Sequence, residues 1–181
     1  MSDNERIAIF IDGSNLYHIL KRIYGATKLL SEFQFNKFIE ILVSGRKLVR
    51  TYYYSAPLDQ GKNEETYKKQ QRFFENLKKI PDFELILCRM QKERIDGETH
   101  YVVKEDDIHI AVDMVKLAYN DAYDTAILVS TDGDFVPAVR AVKEKGKKVE
   151  NIGFKNKFSW HLRQKCDKFR QIDKSQLDKL F

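Results

Sequence analysis

The sequence predicts an α/β fold, a three-layer α/β/α sandwich with a mostly parallel central sheet. Short apolar runs bounded by polar turns alternate along the chain with segments whose apolar residues recur at helical spacing. Strands that alternate with helices imply right-handed crossovers and helices on both faces of one sheet. The length of 181 residues, 43% of them hydrophobic, suits one domain. We therefore predict a single domain over residues 1–181, with core motifs within 6–154 and a C-terminal helical extension over 155–181.

The individual elements follow from the apolar pattern. Strands are predicted at 6–11, 48–55, 83–88, 125–130 and 148–152. The first helix should run from about residue 16 to Gly25 with Ser14 or Asn15 as its N-cap. Further helices are predicted at 35–45, 60–79, 106–120 and 135–145. The charged stretch 91–104, with a turn signal at Asp96-Gly97, is typical of an exposed hairpin or loop. The C-terminal part should hold a helix near 157–166, a strand-like tail and a short terminal helix.

Composition narrows the class of protein. No run approaches the roughly 18 apolar residues of a membrane span, and the N-terminus has neither the basic start nor the apolar core of a signal peptide. We expect a cytoplasmic protein that does not bind membranes. Cys88 and Cys166 form no Cys-x-x-Cys pair and have no histidine at ligand spacing, which favours two ordinary thiols over a zinc or redox site.

The net charge of +5 is unevenly distributed along the chain. Residues 91–140 carry 5 basic and 11 acidic side chains, whereas residues 141–181 carry 12 basic and 5 acidic ones. This pattern indicates gathered carboxylates and a cationic surface elsewhere that could attract a polyanion. Lysine-rich faces of solvated helices produce the same pattern, so charge alone does not identify a partner.

Carboxylates follow two of the predicted strands. Asp12 ends the first strand, and Asp132 and Asp134 follow the strand near Leu128. Because sites in parallel sheets form at the carboxyl ends of the strands, these residues should share one edge. Two carboxylates about 4 Å apart repel by roughly 4 kcal/mol at an effective dielectric near 20. A shared proton would relieve that repulsion, but a cluster of aspartates is more naturally satisfied by a divalent cation such as Mg²⁺.

The 106–120 helix should supply a further carboxylate. Its apolar residues are expected to pack on the sheet and aim Asp107 at the strand ends, although acids in a first turn also serve simply as caps. Asp113 lies mid-helix in apolar surroundings, either beside the metal or paired with a lysine or arginine. The residues expected to be buried are Ile108, Ala111, Val112, Val115 and Leu117.

Each acidic motif also has a purely structural interpretation. Asp132-Gly133-Asp134 could be a tight turn, and Asn15 could be only a helix cap. Their convergence on one edge favours a joint functional site. Its predicted members are Asp12, Asn15, Asp107, Asp132 and Asp134, supported by Asp113, Ser130 and Ser14.

Four stretches carry a family resemblance: 9–16 (IFIDGSNL), Lys104 with 107–114 (DIHIAVDM), 128–135 (LVSTDGDF) and 142–149 (VKEKGKKV). They resemble the NYN domain, a branch of the PIN-like nuclease superfamily, and its LabA-like group in particular. The resemblance implies a PIN-like sandwich in which Asp12, Asp107, Asp132 and Asp134 bind Mg²⁺ or Mn²⁺. It implies that Asn15 orients the site. Thr131 stands where the motif often has glycine, and Glu105-Asp106 where glycine and an apolar residue are common, which adds negative charge.

The resemblance also implies an activity, namely metal-dependent hydrolysis of single-stranded RNA by an activated water, without a covalent enzyme intermediate. Lysines and arginines of 60–79 and of 143–170 are candidate phosphate contacts. Tyr52, Tyr53, Tyr54 and Trp160 either stack bases or belong to the core and sheet surface. A homo-oligomer is compatible with the sequence.

Two other functions compete with this one. A haloacid dehalogenase-type phosphohydrolase also has an aspartate after its first strand, but it needs a second acid two residues later, where this chain has Ser14. The stronger alternative is a non-catalytic regulatory module that keeps the PIN-like fold and binds RNA or a protein. Intact metal ligands permit catalysis without proving it.

Overall fold

Strands and helices alternate as predicted in the computed structural model, which describes residues 4–61, 63–95, 98–155 and 157–181, with only the backbone described over 90–95 and 98–104. The strands are β1 (Arg6–Asp12), β2 (Lys47–Ser55), β3 (Phe83–Leu87), β4 (Arg89–Ile95), β5 (Glu98–Lys104), β6 (Thr125–Val129), β7 (Lys148–Phe154) and β8 (Lys168–Ile172). The helices are α1 (Gly13–Tyr24), α2 (Phe35–Val43), α3 (Glu64–Leu77), α4 (Asp106–Tyr119), α5 (Val136–Glu144), α6 (Trp160–Lys165) and α7 (Lys174–Asp178). Short 3₁₀ turns lie at Leu30–Glu32 and Gly133–Phe135.

Six strands form one sheet in the order β3-β2-β1-β6-β7-β8, and all neighbouring pairs are parallel. The predicted α/β fold is thereby confirmed. The chain runs from β1 outward through β2 to β3, and then returns to β6 on the other side of β1. Such a reversal opens a crevice beyond the carboxyl ends of the two central strands, where ligands of open α/β sheets bind.

Helices cover both faces of the sheet because successive strand residues point to opposite sides. Ile7, Ile9 and Ile11 of β1 pack into the core formed with α1, α2, α3 and α7. Ala8 and Phe10 pack into the second core, formed with α4, α5 and α6. The same alternation directs the next even-numbered position of the strand, Asp12, toward the α4 side.

The face that α4 buries differs from the predicted one. Ile110, Met114 and Ala118 are fully buried, whereas Ile108 and Val112 are 66% and 54% exposed. The prediction was wrong for Ile108 and Val112 because the helix has apolar residues on both sides, and only packing on β1 and β2 selects the buried one. The buried positions recur every four residues, and Asp106 begins that series.

The C-terminal segment joins the sheet. Residues 155–181 contain helices α6 and α7, but β8 lies between them and pairs with β7, so the segment is not purely helical. The stretch 91–104 forms most of the antiparallel hairpin β4–β5, as expected. Its predicted turn, Asp96-Gly97, lies outside the described residues.

Two further expectations concern the thiols and the membrane. Cys88 and Cys166 are both free, and burial raises the pKa of each thiol to about 12, which makes them unreactive. None of the helices described here has the length and apolar character needed to cross a membrane.

Gly13, which begins α1 directly after β1, is packed too closely to accept a side chain. A Cβ atom there would lie 2.5 Å from the Tyr54 carbonyl oxygen and 2.5 Å from Cζ of Tyr53. We expect Gly13→Ala to lower the free energy of unfolding by roughly 1–3 kcal/mol through overpacking, measured by urea denaturation. Gly61→Ala, which meets only the Asp59 side chain at 3.3 Å, is the control. Equal stabilities of the two variants would contradict the tight packing.

Candidate metal centre at the carboxyl edge of the sheet

The ends of β1 and β6 lie side by side at the reversal of strand order. Ile11 is in register with Val129, so Asp12 and Ser130 follow at the same level. The site thus begins from two buried strands whose relative position is held by the sheet. A carboxylate and a hydroxyl emerge there into the crevice.

Asp12 is only 4% exposed, and both of its carboxylate oxygens accept hydrogen bonds. Oδ1 accepts from the backbone N–H of Asn15 at 2.8 Å, and Oδ2 accepts from Oγ of Ser130 at 3.1 Å. Asp12 is therefore the N-cap of α1, and the prediction of Ser14 or Asn15 for this role was wrong. Ser14 lies in the first turn, where its hydroxyl bonds to none of the described residues. The orientation of the Asp12 carboxylate is fixed from two sides.

Asn15 connects α1 to the loop after β6. Its Oδ1 accepts hydrogen bonds from the Thr131 backbone N–H at 3.1 Å and from the Thr131 hydroxyl at 3.2 Å. The hydroxyl of Thr131, which replaces the glycine frequent in the motif, thus adds a bond that glycine cannot make. The arrangement agrees with an orienting role for Asn15.

The loop that carries Asp132 and Asp134 is closed by its own hydrogen bonds. Oγ of Ser130 accepts from the Asp132 N–H at 3.2 Å, and Oδ1 of Asp132 accepts from the Asp134 N–H at 2.9 Å. Asp132 thereby caps the 3₁₀ turn Gly133–Phe135. The turn interpretation is therefore confirmed, whereas the functional role of the loop stays a prediction. Ser130 links this loop to Asp12, because it donates to one aspartate and accepts from the other.

The start of α4 brings two more carboxylates to this edge. Asp106 is buried, with 9% of its surface exposed, whereas Asp107 is exposed to solvent. From the sequence, Asp106 was predicted only to add negative charge beside the site. Its position four residues before Ile110, on the buried face, is the signal that could have identified it.

Burial and mutual repulsion raise the pKa values of two of these acids. Burial, together with the charges of Asp106 and Asp107, raises the pKa of Asp12 to about 7, although its hydrogen bonds oppose the rise. Partial desolvation, then the charges of Asp106, Asp132 and Asp134, raise the pKa of Asp107 to about 6. The five carboxylates therefore interact as one cluster.

Among the side chains that the structure describes, no lysine or arginine forms an ion pair with these five carboxylates. Elsewhere the chain does neutralise a buried acid. Glu150 accepts hydrogen bonds at 2.8 and 3.2 Å from Arg46, with Lys168 and Arg170 each at 3.7 Å. The carboxylate cluster has no such basic partner among the described side chains.

The donor set fits a hard divalent cation. Carboxylate oxygens are the ligands that Mg²⁺ prefers, and it uses one or two of them while retaining waters or substrate phosphates. In the described part of the chain, no three histidine, cysteine, aspartate or glutamate side chains converge as a ready-made cage. An open cluster of acids around a crevice corresponds to the magnesium pattern of few protein ligands.

A supporting residue that sequence analysis missed is Asn151 on β7. Its side-chain amide is fully buried and donates to the carbonyl oxygens of Leu128 at 3.1 Å and of Ser130 at 2.9 Å. Asn151 therefore holds the end of β6, from which the Asp132 loop departs. An asparagine within the predicted strand, among apolar residues, was the available signal.

Asp113 and the tyrosines belong to the fold rather than to the cluster. Asp113 accepts a hydrogen bond of 3.0 Å from the hydroxyl of Tyr54, so the predicted lysine or arginine partner was wrong. Tyr53 and Tyr54 are buried in the two cores, and Tyr52 stacks on Phe10 with ring centroids 5.3 Å apart. Among the proposed base-stacking residues only Trp160 is exposed, at 57%.

The comparisons with known proteins agree with this geometry. A family model described as the NYN domain matches residues 6–173. The chain is 25% identical to the low amplitude and bright protein LabA of Synechococcus elongatus, over 93% of this chain and 84% of LabA. It is 42% identical to an uncharacterized protein of Methanocaldococcus jannaschii over 40% of this chain, a match that spans only 31% of that relative's length.

A solved structure shows the same architecture. The crystal structure of a protein of unknown function from Vibrio parahaemolyticus superimposes with a TM-score of 0.66 at 26% sequence identity. The match covers 96% of each chain.

The raised pKa of Asp12 predicts a specific dependence of stability on pH. From about pH 4 to about pH 7 the folded carboxyl retains a proton that the unfolded chain has lost, so the metal-free protein loses stability as pH rises through this window. Asparagine keeps the N-cap and removes the charge. We expect Asp12→Asn in EDTA to match the wild type near pH 4 and to exceed it by roughly 4 kcal/mol at pH 8, measured by urea denaturation.

Acids with lowered pKa values, such as Asp124 and Asp178 at about 2, lose their stabilising contribution only at lower pH and equally in both proteins. They cancel in the difference. A constant difference between wild type and Asp12→Asn from pH 4 to pH 8 would show that burial does not disfavour the Asp12 charge.

Proposed function

The chain belongs to the NYN domain family, and from that premise we propose that it is a divalent-metal-dependent ribonuclease that hydrolyses phosphodiester bonds of single-stranded RNA. NYN domains are generally PIN-like nucleases, and the similarity to LabA supports the LabA-like group. The observation that carries the proposal is the cluster of five carboxylates at the reversal of strand order, which form no ion pair with a basic residue among the described side chains.

In the proposed enzyme Asp12, Asp107, Asp132 and Asp134 hold Mg²⁺ or Mn²⁺, with Asp106 adding charge beside them. The cation would supply Lewis-acid catalysis, which activates water at neutral pH and stabilises charge on the phosphate. Ser130 and Asn15 keep Asp12 and the Asp132 loop in position through the hydrogen bonds described above. In this arrangement the buried ends of β1 and β6 hold the metal-binding site in place. The exposed Asp134 can adjust its position to the substrate.

The distribution of basic side chains indicates which part of the surface would contact RNA. On α3 the lysines are paired with glutamates one turn away, Lys68 with Glu64 and Lys69 with Glu65, so this helix presents little free positive charge. Residues 141–181 carry a net charge of +7 and include α6, which lies beside the Asp132 loop. We therefore favour the C-terminal segment as the contact for phosphates. The cytoplasmic location stays a prediction from sequence, as does the formation of homo-oligomers.

The alternative is a non-catalytic RNA- or protein-binding module. One observation favours it: the carboxylates form no preformed three-ligand cage among the described residues. A raised pKa also lets Asp12 remain protonated near neutrality without any metal. The two proposed functions differ in whether the protein cleaves RNA, and only a cleavage assay distinguishes them.

The decisive assay is cleavage of labelled single-stranded RNA with Mg²⁺, Mn²⁺ or EDTA. We expect cleavage by the wild type with either metal, none in EDTA, and a loss of at least about 100-fold in Asp132→Asn, since even groups that only support a ligand contribute roughly 10- to 100-fold. Asp82→Asn is the matched control, because Asp82 is an exposed aspartate just before β3 with a φ of 53° that asparagine also tolerates.

Three results would change this interpretation. Cleavage that survives in Asp132→Asn indicates a contaminating nuclease. A loss in Asp82→Asn as large as that in Asp132→Asn would remove the significance of the cluster. If neither wild type nor mutant cleaves but both retain RNA in a salt-dependent manner, the binding module is correct.

Magnesium should also stabilise the folded protein without any substrate. Binding to the native state alone adds about 2.7 kcal/mol at a hundredfold excess over the dissociation constant. We expect Mg²⁺ to raise the melting temperature of the wild type and of Asp82→Asn, and to have little effect on Asp132→Asn, measured by calorimetry against EDTA. Equal stabilisation of all three proteins would indicate binding away from the cluster.

A further inference from the structure

A group of aromatic rings and one arginine lies beside the carboxylate cluster. The guanidinium carbon of Arg163 is 5.5 Å from the Trp160 ring centroid, 5.7 Å from that of Phe158 and 5.3 Å from that of Phe169. Phe158 and Phe169 contact each other with centroids 5.6 Å apart. We call these four residues the aromatic platform.

Gly153 at the end of β7 permits this packing. A Cβ atom on Gly153 would lie 2.7 Å from the Phe169 ring and 2.8 Å from Cβ of Phe158, which is too close for any side chain. The rings therefore rest directly on the backbone of the sheet edge. Phe169 is half-buried, whereas Phe158 at 37% and Trp160 at 57% exposure form the open surface of the platform.

The platform is fixed next to the Asp132 loop. A Cβ atom on Gly133 would lie 3.3 Å from Oγ of Ser159 and 3.9 Å from Cβ of His161, the residues on either side of Trp160. Ser159 is buried and caps α6 through a bond from the Leu162 N–H at 3.3 Å. Trp160 thus stands one residue from contacts with a glycine that both Asp132 and Asp134 flank.

Charge also favours a nucleic acid at this position. Arg163 is exposed, and no carboxylate among the described side chains pairs with it. An indole beside a guanidinium matches the combination that proteins use for single strands, in which bases stack on aromatic rings and phosphates meet positive charge.

We propose that Trp160, supported by Arg163, stacks against a nucleobase of single-stranded nucleic acid and so positions the neighbouring phosphate toward the carboxylate cluster. The inference rests on the proposed function for its substrate class. It adds a base-binding position to a site whose other residues contact only phosphate or metal. Because every base has a π-face, the platform would accept RNA of many sequences.

Trp160 is the only tryptophan of the chain, so its fluorescence reports the proposed contact directly. The experiment titrates the protein with a short oligouridylate in EDTA, which prevents metal-dependent cleavage. We expect saturable quenching of the tryptophan emission. Inorganic polyphosphate of equal charge, which carries no bases, should bind without this quenching. Equal quenching by the two polyanions would overturn the proposal.

Affinity provides the second measurement, by anisotropy of a labelled oligouridylate. Trp160→Ala should bind about tenfold more weakly, at the lower end of the effect of losing one stacked base, and Trp160→Phe should lose less. Tyr119→Ala is the matched control, since Tyr119 is 56% exposed and has Lys145 5.1 Å from its ring centroid, but lies at the far end of α4. Unchanged affinity in Trp160→Ala would overturn the proposal.

The outcome can be separated from that of the proposed function. Asp132→Asn should quench as the wild type does, although it cannot cleave RNA. If the wild type itself shows quenching but no cleavage with Mg²⁺ or Mn²⁺, the platform is supported and the nuclease is rejected. Cleavage with unchanged binding by Trp160→Ala supports the nuclease and rejects the platform. If the emission instead changes with protein concentration alone and Trp160→Ala prevents self-association, a second copy occupies the surface and the inference fails.

Discussion

Repulsion among carboxylates at the junction of β1 and β6 is the constraint on which the rest of this structure depends. Asp12 is buried at the end of a central strand near Asp106, Asp107, Asp132 and Asp134, and none of the five forms an ion pair with a basic residue among the described side chains. Folding brings these like charges together and raises the pKa of the buried one. The fold must therefore gain enough elsewhere to hold an arrangement that is unfavourable by itself at neutral pH.

The two central strands supply that compensation. Every residue of β1 from Ile7 to Asp12 and every residue of β6 is buried, so the junction lies between two continuous apolar cores. Apolar burial contributes roughly 25 cal/mol per Å², which for several fully buried side chains exceeds the cost of one raised carboxyl pKa. The hydrogen bonds from Ser130 and Asn15 then orient the Asp12 carboxylate instead of relieving its repulsion fully.

Most of the fold could be predicted from the sequence because strand and helix periodicities are local properties. The alternation in β1 and the glycines that end helices require no knowledge of tertiary contacts. The errors arose where tertiary packing decides. Helix α4 has two apolar sides, and the choice between Ile108 and Ile110 depends on its rotation over β1 and β2. Asp106 was missed as a consequence of that choice.

Part of the site could also be predicted from local sequence patterns. Strand ends located Asp12 and Asp132, since parallel strands end at a common edge. The roles of Ser130 and Asn151 depend on hydrogen bonds between residues distant in sequence, such as the bond of 2.9 Å from Asn151 to the Ser130 carbonyl oxygen. No spacing in a single chain reveals such a bond. The metal-binding role of the cluster stays a prediction that the geometry makes chemically reasonable.

The carboxylate cluster and the aromatic platform are held close together where Gly133 lies beside the start of α6. A Cβ atom on Gly133 would lie 3.3 Å from the Ser159 hydroxyl, so a larger residue would require this hydroxyl, next to Trp160 in the chain, to move by a few tenths of an ångström. Gly133, between Asp132 and Asp134, therefore does more than permit the turn. It lets the segment from the C-terminal part of the chain approach the carboxylates, so that one short loop sets the position of both the charged centre and the aromatic platform.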